Sequence, residues 1–256
     1  MTVRNIRFRQ SVIRTVLGLA AVSGLAMQPV ESAFAKVVEV SMTAVETKLV
    51  IDGEGHTYDA WTFNGQFPGP VIRVQEGDEV VFSLTNPETN GRPHSMDFHA
   101  AETNFLEHYK EVRPGESLQY RFKAKWPGIF AYHCGASPMI QHIARGMMGA
   151  IIVDPKDPKA LPKADREYVL VQSELFKDPD DVDGMFDRKY QHVVFNGSVF
   201  RYDPVHSKAG GDFLDAKPGE RVRFYFVNAG PNNVSAVHPI AEIWDDVWES
   251  GNPANH

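Results

Sequence analysis

Three features recur in the same order in the two halves of this 256-residue chain, and that recurrence limits the fold more than any single motif. Phe63-Asn64-Gly65 returns as Phe195-Asn196-Gly197. A turn at Glu76-Gly77-Asp78, a strand-like run and Asn86 return as Pro218-Gly219-Glu220, a second such run and Asn228, with nine positions from Gly to Asn in both copies. A histidine follows each copy, His94 in the first and His238 in the second. Elsewhere the chain is written in short alternating runs, such as Val37–Val40, Val71–Val74, Glu79–Leu84 and Leu118–Phe122, punctuated by Gly, Pro, Asn and Asp. Period-two alternation with frequent turns predicts short strands at regular spacing, hence a β-sandwich or barrel; no long stretch carries a helical period. The expected organisation is all-β: one domain over 36–153, a polar Pro-rich linker over 154–166 and a second copy over 167–256. The first copy runs 59 residues from His94 to Val153, but only 18 follow His238, so the second is expected to be C-terminally truncated by two or three strands.

The N-terminus predicts export. Arg4, Arg7, Arg9 and Arg14 precede a small and apolar run from Thr15 to Met27, and Ala33-Phe34-Ala35 supplies a cleavage pattern, so residues 1–35 read as a signal peptide. That run is interrupted by Gly18, Ser23 and Gly24 and is short for a membrane span. The mature chain is expected to be periplasmic, with no membrane span. The whole chain carries 26 basic against 33 acidic residues; without the first 35, which hold four Arg and one Glu, the balance is 22 against 32. A surface this acidic argues against nucleic-acid binding and suits a positively charged protein partner.

One cysteine, Cys134, excludes an internal disulfide and zinc sites built from several thiolates. It sits in the run His133-Cys134, His142, Met147, that is, H-C-x7-H-x4-M, read as strand, loop, strand from Ile129 to Val153. A thiolate, two imidazoles and a thioether select copper over harder ions, and one Cys with two His and an axial Met is a blue-copper set. The second imidazole must come from elsewhere in the domain, and His94 is the candidate. Adjacent strand residues face opposite ways, so an inward Cys134 turns His133 outward. His99 lies an odd five positions from His94 and is likewise placed on the outer face. Two metal sites follow, one inside and one on the surface, joined through the His133–Cys134 peptide bond. Asp97, between the two histidines, is placed to act as a general acid, and His238 is a candidate partner, as histidine commonly serves in proton transfer. His56, His108, His192, His206 and His256 lack such a context and are expected on the surface.

These motifs resemble the copper-containing nitrite reductases, a family built from two tandem cupredoxin-like Greek-key β-sandwich domains. The resemblance spans Phe63 to Pro70, His94-Ser95-Met96-Asp97-Phe98-His99, His133-Cys134 through His142 to Met147, Val193 to Gly197, and Ser235 to Glu242, with the short Cys-to-His loop of one branch. It implies His94, Cys134, His142 and Met147 as type 1 copper ligands, and His99 and His133 as type 2 copper ligands. Asp97 and His238 match the pair that binds nitrite and delivers protons, and Ile240 matches an apolar residue shaping the pocket. A homotrimer and a small cupredoxin or c-type cytochrome donor are implied as well. The family's third type 2 ligand is a histidine deeper in the second domain, with no counterpart in this chain. A type 1 electron carrier without catalytic copper therefore stays open. A two-domain multicopper oxidase is disfavoured, because Gly135 follows Cys134 and no H-x-H pair occurs.

Overall fold

The computed structural model describes residues 35–207 and 212–256, so the signal peptide expected over 1–35 lies, but for Ala35, outside the described residues. The first half supplies eight strands: β1 (Val37–Val50), β2 (Thr57–Phe63), β3 (Ile72–Gln75), β4 (Glu79–Thr85), β5 (Asp97–Phe98), β6 (Ser117–Lys123), β7 (Gly128–His133) and β8 (Met148–Asp154). Two short helices, α1 (Phe105–His108) and α2 (Met139–Ala144), interrupt them. The second half adds β9 (Arg166–Phe176), α3 (Val182–Phe186), β10 (Tyr190–Phe195) and β11 (Val222–Asn228). Asp154 and Arg166, the ends of the expected linker, thus close β8 and open β9.

The first half is a sandwich of two four-stranded sheets, ordered β2-β1-β4-β6 and β3-β8-β7-β5. β6 shows the alternation that builds it: Tyr120 and Phe122 are buried while Ser117, Gln119, Arg121 and Lys123 face solvent. The inner faces meet around Phe63, Phe82, Leu84, Phe98, Tyr120, Phe122 and Tyr132, and Cys134 and Met147 belong to the same core. The repeat reappears as topology. β1 lies parallel to β4 and antiparallel to β2; β9 lies parallel to β11 and antiparallel to β10. In both copies the Asn-Gly pair after β2 or β10 turns through the left-handed region, with φ of 57° and 71° at Asn64 and Gly65 and of 48° and 76° at Asn196 and Gly197. The sheet of the second half has three strands among the described residues, ordered β10-β9-β11.

β8 explains how the halves join. Its run Met148-Gly149-Ala150-Ile151-Ile152-Val153 does not alternate, because both faces are covered. Ile151 and Val153 enter the sandwich core, whereas Ala150 and Ile152 pack with Ile129, Val171, Tyr225 and Val227 of the neighbouring sheet. Two expectations need correction. The stretch between Cys134 and Met147 is not a plain loop: it contains α2, held by Ile140 and Ala144 against Phe176 and Met185. His108 is not a free surface residue either; its ring stacks on Tyr120 at 4.9 Å, with Nδ1 buried. His192 is half-buried, while His56, His206 and His256 are exposed as expected.

Candidate metal centres

β7 ends by placing two adjacent residues on opposite faces. Cys134, just past its last residue, is fully buried, and its Sγ lies 3.3 Å from His142 Nδ1. His94 Nδ1 lies 3.3 Å from the same nitrogen, so two imidazole nitrogens and one sulfur converge. Three parts of the fold bring them together. His94 is fixed by a two-way backbone bridge to Val112, Cys134 by β7, and His142 by the last turn of α2. Met147 is fully buried where the chain returns: its N–H donates to the His142 carbonyl and its carbonyl accepts from Cys134 N–H, both at 3.0 Å. Ser95 N–H donates to Cys134 Sγ at 3.2 Å. Met148 enters β8 and pairs with His133, so the two methionines diverge as strand alternation requires.

Burial decides the charge states here. It pushes the Cys134 thiol up to about 11, against N–H donors from Ala136 and Ser95 that favour the thiolate. It pushes His142 down to about 3, helped by the neighbouring His94, Arg92 and Arg145. His94 is also lowered by burial, with Glu46 opposing. Both imidazoles are thus held neutral, the form in which a histidine binds a metal.

The second cluster occupies the outer face of the same strand. His133 Nε2 lies 3.0 Å from His99 Nε2, and Asp97, paired with His133 across β5 and β7, puts Oδ2 3.9 Å from His133 Nε2. His133 Nδ1 faces the Cys134 carbonyl at 3.0 Å, which directs its other nitrogen to the cluster. His99 is exposed, and its pKa is lowered by desolvation and by His133, with Asp97 opposing. The parity argument thus predicted both faces correctly. His238 and Ile240 lie in an exposed segment after β11. The His238 ring meets the carbonyl of its own Pro239 at 3.1 Å and Ile240 is 88% exposed, so one chain does not bring either to Asp97.

Two residues that sequence spacing did not reveal border the buried cluster. Trp61 of β2 sets its ring 4.6 Å from that of His142 and 5.8 Å from that of His94, with the Arg145 guanidinium 4.5 Å from the Trp61 ring centroid. Glu46 of β1 places Oε1 3.3 Å from His94 Nε2. Both contacts come from the sheet that faces the Cys134 strand, so no local motif could signal them.

A neutral His pair with a buried thiol and a thioether in the same core suits copper, and the exposed pair of imidazoles suits a more open copper site. Fold and donor sets together define a cupredoxin-type copper protein. The multicopper oxidase family profile matches residues 44–158. Copper-containing nitrite reductase of Neisseria gonorrhoeae is 40% identical over 230 residues, which cover 84% of this chain and 55% of that protein. The counterpart from Alcaligenes xylosoxydans xylosoxydans is 36% identical, covering 86% of this chain and 72% of its own. A solved copper nitrite reductase from Nitrosomonas europaea superposes with a TM-score of 0.84 at 59% identity, over 86% of this chain and 77% of that one. The chain belongs to the copper-containing nitrite reductases. It spans little more than half the length of the gonococcal relative, 55%. Among the described residues no helix is long and apolar enough to cross a membrane.

Proposed function

We propose that this protein reduces nitrite by one electron to nitric oxide, consuming two protons and releasing water. The observation that carries the reading is the His133–Cys134 peptide bond, which belongs to a buried thiol–imidazole cluster on one side and an exposed imidazole–carboxylate cluster on the other. Copper bound at the two clusters supplies one-electron redox chemistry.

In this reading His94, Cys134, His142 and Met147 hold type 1 copper, and His99 and His133 contribute to type 2 copper. Burial of the first set excludes water and bulk ligands, so its role is to receive and pass on an electron. The Cys134–His133 linkage is the bonded path between clusters. Asp97 faces the exposed cluster, where its carboxylate receives a proton from solvent and hands it to a nitrite oxygen. His238 supplies the second proton, and Ile240 packs on the substrate. Since one chain leaves both in an exposed segment, they reach the cluster of a second copy, in a homotrimer. The chain is exported to the periplasm by residues 1–35 and is organised as cupredoxin domains over 36–153 and 167–256. A basic small cupredoxin or c-type cytochrome delivers the electron to its acidic surface.

The test is to supply the copper-loaded protein with a one-electron donor and ¹⁵N-labelled nitrite without oxygen and to follow the gas by mass spectrometry. Labelled nitric oxide is expected. A protein with the thiolate-to-copper colour that makes no labelled gas leaves electron carriage as the better reading.

A further inference from the structure

Glu46 stands out because nothing in its own strand explains it. The Glu46 side chain is 23% exposed, yet its carboxylate is held from two directions. Gly91 N–H donates to both of its oxygens at 3.1 Å and Arg92 N–H donates to Oε1 at 2.9 Å. On the other side Oε1 lies 3.3 Å from Nε2 of His94, whose side chain is fully buried. Asn90 Oδ1 accepts the Glu46 backbone N–H at 3.3 Å, and Asn90 Nδ2 donates to Asn86 and to the Ala44 carbonyl. The carboxylate is therefore fixed to the loop that delivers His94 before it meets the ring.

A carboxylate offers only acceptors, so the hydrogen on this contact must sit on His94 Nε2. That leaves Nδ1 as the bare lone pair, and Nδ1 is the atom that faces Cys134 and His142. His142 is pressed instead by His94, Arg92 and Arg145, all of which disfavour its protonated form. Glu46 thus reaches the buried cluster through one imidazole, whereas the other carboxylate that acts on it, Glu111, acts on the Cys134 thiol and touches neither histidine ring. A carboxylate behind a ligating histidine orients the ring and strengthens its donation.

We propose that Glu46 is a positioning residue for the buried copper site, which locks the His94 tautomer and lowers the site's reduction potential through the Glu46–His94 hydrogen bond. The inference rests on the type 1 assignment of the preceding section. A negative charge coupled to a ligand favours the more highly charged oxidised ion, so removing it favours the reduced one. A charge-assisted hydrogen bond is roughly twice as strong as a neutral one. Neutralising it is expected to shift the oxidised-to-reduced ratio about tenfold towards reduced, a rise of about 59 mV for one electron.

The experiment is a potentiometric titration of the copper-loaded full chain, followed at its visible band, for wild type, Glu46→Gln and Glu46→Ala. Gln keeps an oxygen for the Gly91 and Arg92 N–H groups and removes only the charge. The expected result is a Glu46→Gln band at the wild-type wavelength with the equilibrium moved about tenfold towards reduced, and a shift at least as large in Glu46→Ala. A Glu46→Gln chain that titrates within about twofold of wild type overturns the proposal. A Glu46→Gln chain that no longer takes up copper also overturns it, by making Glu46 a brace for the fold. If Glu46→Ala does not fold, the Gln comparison decides alone. A wild-type chain that binds copper without colour overturns the type 1 reading itself, which separates that failure from this one.

Discussion

The two clusters that share the end of β7 differ in what one chain supplies. The Cys134 cluster is buried: three side chains able to bind a metal converge within the sandwich, with Met147 in the same core. The Asp97–His99–His133 cluster is open, with His99 exposed and the other two only partly covered. Burial favours the first site unevenly. It holds both imidazoles ready as neutral ligands but opposes the thiolate, and a bound cation must displace the thiol proton. The open site is reachable from solvent through the exposed His99. In the proposed reading, a strand thus separates an electron site from a chemical site by one residue, and the chemical site is completed by a neighbouring copy.

The division is broken most directly at Cys134. Cys134→Ala is expected to abolish the visible absorption of the copper-loaded protein entirely, while His99 and His133 still take up metal. Absorption and copper content measured together check this, and a variant that keeps its colour removes the thiolate from the buried site. Asp97→Asn makes the opposite cut. Nitrite turnover is expected to fall on the order of a hundredfold or more, with the visible band unchanged. Equal turnover takes Asp97 out of proton delivery.

A smaller effect tests the platform common to both sites. Gly149 pairs with Tyr132 across β8 and β7, and a Cβ there would collide with the Tyr132 ring and hydroxyl. Tyr132 itself is fully buried, and its hydroxyl donates to the Pro70 carbonyl at 2.6 Å. It has no free direction in which to retreat. Gly149→Ala should therefore destabilise the fold by about 1–3 kcal/mol, as read from the denaturant midpoint. An unchanged midpoint would show that β7 yields locally, which would make the His133–Cys134 geometry softer than its packing implies.

Much of the site was legible because its signals are local. The H-C-x7-H-x4-M spacing lies within a single return of the chain, and strand parity sorted His94 and Cys134 from His99 and His133 without knowledge of the sheets. The repeat likewise marked β2 and β4 against β10 and β11 through turn chemistry that needs Asn and Gly. α2 escaped because six residues are too few to show a helical period and its stability comes from Phe176 and Met185, far along the chain. Glu46 and Trp61 escaped for a similar reason: their contacts exist only after β1 and β2 are laid opposite the Cys134 strand. His108 read as a surface residue because a ring stacked on Tyr120 leaves no periodic trace.

The smallest predicted effect contrasts Asp97, a carboxylate open to solvent, with Glu174, one sealed inside the second half. Glu174 is fully buried in β9; its Oε2 accepts the Asn232 N–H at 3.0 Å, and its Oε1 has no hydrogen-bond partner among the described residues. Desolvation raises its pKa, with the N–H groups of Asn232 and Asn233 and the charge of Arg188 only partly opposing. The sign follows from linkage. With the folded pKa above the unfolded one, the native state binds more protons, so this group's contribution is most favourable below the ordinary carboxylate value of 4.5. That contribution is lost as pH rises from there through the folded value. Glu174→Gln removes the titration and keeps an oxygen for Asn232. The stability of wild type minus that of Glu174→Gln, taken from denaturant midpoints across this range, is expected to fall with rising pH. A difference that stays flat would mean that the carboxylate is solvated or paired in the folded protein. The turn at 230–233, which leads to His238, would then be held by the Ser235–Gln172 hydrogen bond of 2.6 Å rather than by a buried charge.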